Sequence, residues 1–201
     1  MRSVLVGLML VLIAAGTTGV YHLTQKADIY YYQGHDRFTK SQYAAAIPLY
    51  LRSLSYGPER TKTLSELAYA YLWSGNQLEA IKMFQKLLSL EPRNARVRKS
   101  LATAYSWNKE YPKAEALFLE AIQADPKDRE AKKGLAEIYL WDNQFAASQK
   151  ILLDLLQSNP GDAQVKFLYG KALLYSGRTK EAIRIFEELS GHSQEKGGKH
   201  P

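Results

Sequence analysis

Trp73, Trp107 and Trp141 are the only tryptophans in the chain, and each stands 34 residues from the next. Pro92, Pro126 and Pro160 keep the same interval, and Pro58 extends it one step towards the amino terminus. Leu67, Leu101 and Leu135 repeat it, as do Ala68, Ala102 and Ala136, and Tyr71, Tyr105 and Tyr139. A period held by so many residue types belongs to a repeat array, in which each unit contacts only its neighbours. Such a chain presents a surface, so function is expected in a groove rather than a closed pocket.

One unit is clearest between Thr61 and Asn94. Leu64, Leu67, Ala68 and Tyr71 fall at helical spacing and form one apolar stripe. Ser74-Gly75-Asn76 breaks that helix, with Asn76 placed to cap the next. Ala80, Ile81, Phe84, Leu87 and Leu88 make a second stripe, Pro92 forbids its continuation, and Asn94 can cap the first helix of the next unit. The pattern returns through Leu101, Ala102, Tyr105, Ala114, Phe118 and Pro126 with Asp128 as cap. It returns again through Leu135, Ala136, Tyr139, Ala147, Leu152 and Pro160 with Asp162 as cap. Pro112 falls in a first helical turn, where a missing amide hydrogen leaves no bond unmade.

These residues resemble the tetratricopeptide repeat, a 34-residue helix–turn–helix with Leu, a small residue and Tyr in its first helix. Ala and Phe follow in its second helix, and Pro in the connection. The resemblance implies an all-α solenoid of about five units, and an amino-terminal transmembrane helix or signal sequence is separately expected to precede it. Residues 27–60 form a degenerate first repeat in which Arg37 stands in the Tyr place and Phe38 can replace it. Residues 61–94, 95–128 and 129–162 match closely. Residues 163–190 are an incomplete last repeat, with Gly191 expected to end its helix. The tail, 191–201, is polar and Gly-containing and is expected to be disordered.

Residues 1–26 are a separate object. Val4 to Leu23 contains no Lys, Arg, Asp or Glu over 20 residues, between Arg2 and Lys26. That is the length a helix needs to cross a hydrocarbon core. An uncleaved membrane anchor through residues 4–23 is the favoured expectation. A signal peptide cleaved near Ala14-Ala15-Gly16, giving a secreted or periplasmic chain, is the alternative. The positive-inside tendency at Arg2 would place the repeats on the periplasmic or extracytoplasmic side.

Of the 27 basic residues, all but Arg2 and Lys26 lie beyond this segment, leaving 25 against 20 acidic ones. No run of Lys and Arg makes a footprint for nucleic acid. The chain has no cysteine, which removes disulfides, thiolate metal sites and a thiol nucleophile. His22, His35, His192 and His200 show no ligand spacing, so no metal or cofactor is expected. No phosphate loop or nucleophile motif is present, and catalysis is not expected.

At roughly 100° per residue, Trp73 lies opposite Leu64, with Lys62, Ser65, Tyr69 and Leu72 beside it. By the resemblance this second stripe is the concave face. It continues through Arg96, Lys99, Thr103, Ser106 and Trp107, then Glu130, Lys133, Glu137, Leu140 and Trp141. Gln164, Phe167, Lys171, Leu174 and Tyr175 end it, and Asp28, Tyr31, His35 and Phe38 are the first repeat's share. The candidate binding residues are Trp73, Trp107, Trp141, Tyr175 and Tyr69, flanked by Lys62, Arg96, Lys99, Lys133 and Lys171. Aromatic rings beside cations make good anchors for an extended peptide. The competing reading has each Trp covering a seam between repeats. Some family members clamp a terminal carboxylate with Lys and Asn. Lys99 and Lys133 match the Lys, but Thr103 and Glu137 stand where Asn belongs.

A membrane-tethered scaffold that binds another protein or peptide, in assembly of a cell-envelope complex, is the expected function. A glycan-binding accessory of polysaccharide export or secretion is the alternative. At the carboxyl end, Ile185 and Leu189 are expected to meet a partner or a second copy of the chain.

Overall fold

A computed structural model describes the backbone of residues 2–57 and 60–197, with side chains at 21–57 and 60–190. Among the described residues all regular structure is helical, in ten α-helices with no strand. The helices are α1 (Arg2–Thr39) and α2 (Tyr43–Ser55), α3 (Thr61–Trp73) and α4 (Gln77–Leu90), and α5 (Ala95–Trp107) and α6 (Tyr111–Ala124). They continue with α7 (Arg129–Trp141) and α8 (Phe145–Ser158), then α9 (Ala163–Tyr175) and α10 (Thr179–Gly197). Two compact units divide the chain, residues 1–97 and 98–201.

In the first unit α1 packs on α2, α2 on α3 and α3 on α4. Tyr31, Ala46, Tyr50, Leu67 and Ala70 form one core cluster, with Phe38, Tyr43 and Tyr71 packed against it. Phe38 thus supplies the ring that Arg37 does not. The Tyr50 ring lies 2.7 Å from where a Cβ on Gly34 would sit, so that place in α1 has room only for hydrogen. α1 runs without interruption across residues 26 and 27, where the amino-terminal segment was expected to give way to the first repeat.

In the second unit α6 packs on α7, α7 on α8, α8 on α9 and α9 on α10. Ala136, Leu140, Leu152, Leu155, Val165, Leu168 and Ala172 form its core cluster. Leu140 was expected on the groove face and is instead 4% exposed, because α8 of its own hairpin and α9 of the next close over it. Leu174, at the same place one repeat later, meets no further hairpin among the described residues and is 40% exposed. Leu72 and Ser106 are buried in the same register and also leave the groove stripe.

Every hairpin turns in the same way. Ser41, Gly75, Lys109, Asn143 and Gly177, spaced by the repeat, all have left-handed backbones, with φ from 58° to 84°. The next amide reaches back to the carbonyl five residues earlier: Asn76 N to Tyr71 O at 2.8 Å, Glu110 N to Tyr105 O at 2.9 Å, Gln144 N to Tyr139 O at 2.7 Å. This double closure of the last helical carbonyls ends the helix and frees the chain to reverse. Asn94, Asp128 and Asp162 cap the first helices of the third, fourth and fifth repeats by accepting from Val97, Ala131 and Val165. Asn76 occupies the cap place of α4 but its side chain donates to Ser74 instead.

The carboxyl end differs from the sequence expectation. α10 does not stop at Gly191 but continues to Gly197. A glycine inside a helix costs only about 1 kcal/mol relative to alanine, and polar residues such as Gln194 and Lys196 are competent helix formers. The rest of the expected disordered tail, 198–201, lies outside the described residues. Among the described residues no helix is long and apolar enough to cross a membrane. Most of the Val4–Leu23 stretch lies outside the residues whose side chains are described.

Candidate functional site

In the first unit, Trp73 is the final residue of α3, and 45% of it is exposed. Its ring stacks on Tyr69 at 5.2 Å and 27°, and meets Phe38 at 5.4 Å and Tyr43 at 5.1 Å. The ring is held from behind by α1, α2 and its own helix while its remaining surface is open. It lines a cleft of about 640 Å³ with Phe38, Lys62, Ser65, Glu66, Tyr69 and Arg96. Four of the predicted residues, Lys62, Tyr69, Trp73 and Arg96, therefore meet in one cleft.

The polar side of that cleft is fixed by a carboxylate. Glu66 accepts from Tyr31 at 2.7 Å through Oε1 and from Tyr50 at 2.5 Å through Oε2, and His35 Nδ1 lies 2.8 Å from Oε2. Burial pushes the Glu66 carboxyl up, but the hydrogen bonds from Tyr50, Tyr31 and His35 outweigh it and leave it below its ordinary value. Burial and the same carboxylate raise both tyrosines. Lys62 Nζ sits 4.8 Å above the Tyr31 ring, so its charge is partly engaged by the protein. Glu66 was not among the predicted residues. Its signal was a departure from the period: Ser100, Gly134 and Leu168 occupy its place in other repeats, and Tyr50 stands where Phe84 and Phe118 recur.

In the second unit Trp107, Trp141 and Tyr175 close α5, α7 and α9 and are 41%, 40% and 53% exposed. All the rings so placed bury part of themselves and present the rest, so neither simple reading of the aromatic ladder holds alone. Its cations are occupied. Lys99 Nζ is 2.7 Å from Asp128, and Lys133 donates to Glu130 at 3.0 Å and Gln164 at 3.1 Å. Lys171 lies 5.9 Å from the ring centres of both Phe167 and Tyr175. Glu137, on the same face, is partly buried. Burial raises its carboxyl above the ordinary value, against the opposing pull of Lys133 and Lys171.

Models of the tetratricopeptide repeat match residues 61–94, 78–137 and 111–172. Together they span more than half of the sequence, and the chain belongs to the tetratricopeptide repeat family. No curated protein sequence matches it. Among solved structures, a MamA fragment from Desulfovibrio magneticus is 17% identical at a TM-score of 0.70, covering 87% of this chain and 98% of that one. The structure of Pseudomonas aeruginosa pilF is 19% identical at 0.64, covering 90% and 80%. A tetratricopeptide repeat protein from Parabacteroides merdae is 17% identical at 0.69, covering 85% and 68%. At these identities the likeness is one of fold. The family fold is typically a non-enzymatic scaffold for binding other proteins or peptides.

Proposed function

We propose that the chain is a membrane-tethered adaptor that binds an extended segment of another protein on the face made by its first helices, in assembly of a cell-envelope complex. The single observation that carries this reading is the Trp73 shelf: a half-exposed indole braced by Phe38, Tyr43 and Tyr69 beside an open cleft. A ring held in place before binding loses little freedom when a ligand covers it. Lys62, Arg96 and Glu66 supply polar contacts at the rim. Tethering through Val4–Leu23, with the repeats on the extracytoplasmic side, is supported by the uncharged stretch behind Arg2. Ile185 and Leu189, half-buried on α10, are kept as a second surface for a partner or another copy of the chain.

Affinity capture with the detergent-solubilised full chain tests the reading. Trp73→Ala should weaken retention of the bound protein by about 2 kcal/mol or more, roughly 30-fold. Leu78→Ala, an exposed change on α4, should leave it intact. Retention should also fall with added salt, since Lys62 and Arg96 flank the shelf. Unchanged retention by Trp73→Ala overturns the reading. Capture of a glycan in place of a protein, insensitive to salt, moves it to the polysaccharide alternative.

A further inference from the structure

The α9–α10 hairpin turns an apolar face outward at the places where the hairpin before it receives its neighbour. In that earlier hairpin Lys133 donates to Gln164, Leu140 packs in one core with Val165 and Leu168, and Gln149 donates to the Ala172 carbonyl and to Ser176. One repeat on, the same places hold Phe167, Leu174 and Ile183, and all three are exposed. Two of the three have changed from polar to apolar where no further hairpin follows among the described residues. A hairpin left facing water normally carries a polar outer face, and this one does not. Phe186 extends the patch: its ring lies 5.8 Å from that of Phe167 and fills the room that Gly170 leaves beside it. Apolar side chains gathered in this way are stabilised when water is removed from them.

Charge at the edge of the patch points to the occupant. Lys180 and Glu187 stand two turns apart on α10, roughly 60° and 40° round the helix from Ile183 and therefore on one side of it. Among the described residues neither forms an ion pair, whereas the adjacent Glu181 and Glu188 are held by Arg178 and Lys166. Arg184 lies roughly 100° from Ile183 and turns away from the patch. When two α10 helices lie antiparallel about a twofold axis midway between Ile183 and Arg184, Lys180 of each copy comes level with Glu187 of the other. The two Ile183 side chains then meet near the axis, with Phe167 and Leu174 beside them. One unpaired cation and one unpaired anion at this spacing complement themselves, and a twofold lets the same patch serve both copies. We infer that this face is closed by the same face of a second copy of the chain. The apolar patch supplies the strength, and the two Lys180–Glu187 pairs set the antiparallel register. The inference rests on the α10 surface kept above for a partner or another copy; it selects the copy, and it puts Ile183 rather than the half-buried Ile185 at the centre.

Sedimentation velocity of the full chain in detergent, over a range of protein concentrations, tests it. The parent should pass from monomer to dimer as concentration rises. Ile183→Glu should weaken the dimer roughly 30-fold or more without lowering the melting temperature, since that side chain is half exposed. Lys180→Glu and Glu187→Lys should each weaken it roughly tenfold, because each sets like charges together at both contacts. Both places are exposed, so these variants should fold as the parent does. Mixed in equal amounts, the two charge variants should regain the parent's association, because the mixed pair restores opposite charges at both contacts. Association through the amino-terminal stretch would ignore positions 180 and 187, so it fails the mixing test. A monomer throughout, an Ile183→Glu dimer as strong as the parent's, or no recovery on mixing would each overturn the second copy. If the parent is monomeric while Ile183→Glu loses a captured protein, the α10 surface stands and the second copy does not. None of these outcomes touches the Trp73→Ala result, which reads the other unit.

Discussion

Glu66 shows how one side chain can organise a surface without belonging to its apolar part. Three helices meet at it, α1 through Tyr31 and His35, α2 through Tyr50, and α3 through Glu66 itself. Replacing the carboxylate by an amide turns one of its two oxygens into a donor, so one of the two buried phenols loses its acceptor, at about 1–3 kcal/mol. A Glu whose carboxyl is held below its ordinary value stabilises the fold above that value and loses the contribution as pH falls through its folded one. Glu66→Gln should thus melt well below the parent at neutral pH, and the gap should close below about pH 4.5. Denaturant titrations at neutral and acidic pH check this, and a constant gap would assign the effect to packing. The residue scale is also where sequence reasoning reached least far. Lys99 and Lys133 read as groove cations because helical angle places them on the face, yet angle says nothing of Asp128 or Gln164 arriving from another helix. Glu66 escaped because a period draws attention to what recurs, and this site is built from what does not.

Elements were far more legible, since hairpins arise from stripes and breakers that any single unit displays. Leu, Ala and Tyr at helical spacing, then Pro in the connection, suffice to mark the three central helix pairs. The turn geometry was legible only at Gly75 and Gly177, where the residue type reveals the left-handed backbone. Ser41, Lys109 and Asn143 adopt the same conformation without announcing it, because the surrounding carbonyls of the finished helix impose it. A side chain in this region is disfavoured by roughly 1–2 kcal/mol, least for Asn. Lys109→Gly should therefore stabilise the chain by about 1 kcal/mol, and Gly75→Ala should destabilise it by a similar amount. No atom crowds the Gly75 Cβ position, so backbone conformation alone sets the second effect. Urea midpoints moving in the same direction for both changes would contradict this account. Packing between hairpins gives a contrasting case. The Phe118 ring stands 2.4 Å from where a Cβ on Gly134 would lie, so Gly134→Ala should cost about 1–3 kcal/mol. Phe118→Leu, the residue type that Leu152 supplies one repeat later, should recover part of it, and a thermal-melt double-mutant cycle reads the coupling.

For the whole molecule, the proposed tether through Val4–Leu23 makes a direct prediction. The full chain should pellet with membranes and require detergent for release. A soluble form whose amino terminus lies near Thr17 would establish cleavage instead. The family was readable from the period alone, whereas the partner is written in no recurring residue, only in what the faces leave open. The most direct measurement places a photo-crosslinking amino acid at Tyr69, beside Trp73 in the cleft, and at Leu78 on the exposed side of α4. If the first-helix face is the binding surface, position 69 should join the chain to one discrete protein and position 78 should not. Equal crosslinking at both positions, or none at 69 while 78 captures the partner, would contradict the account.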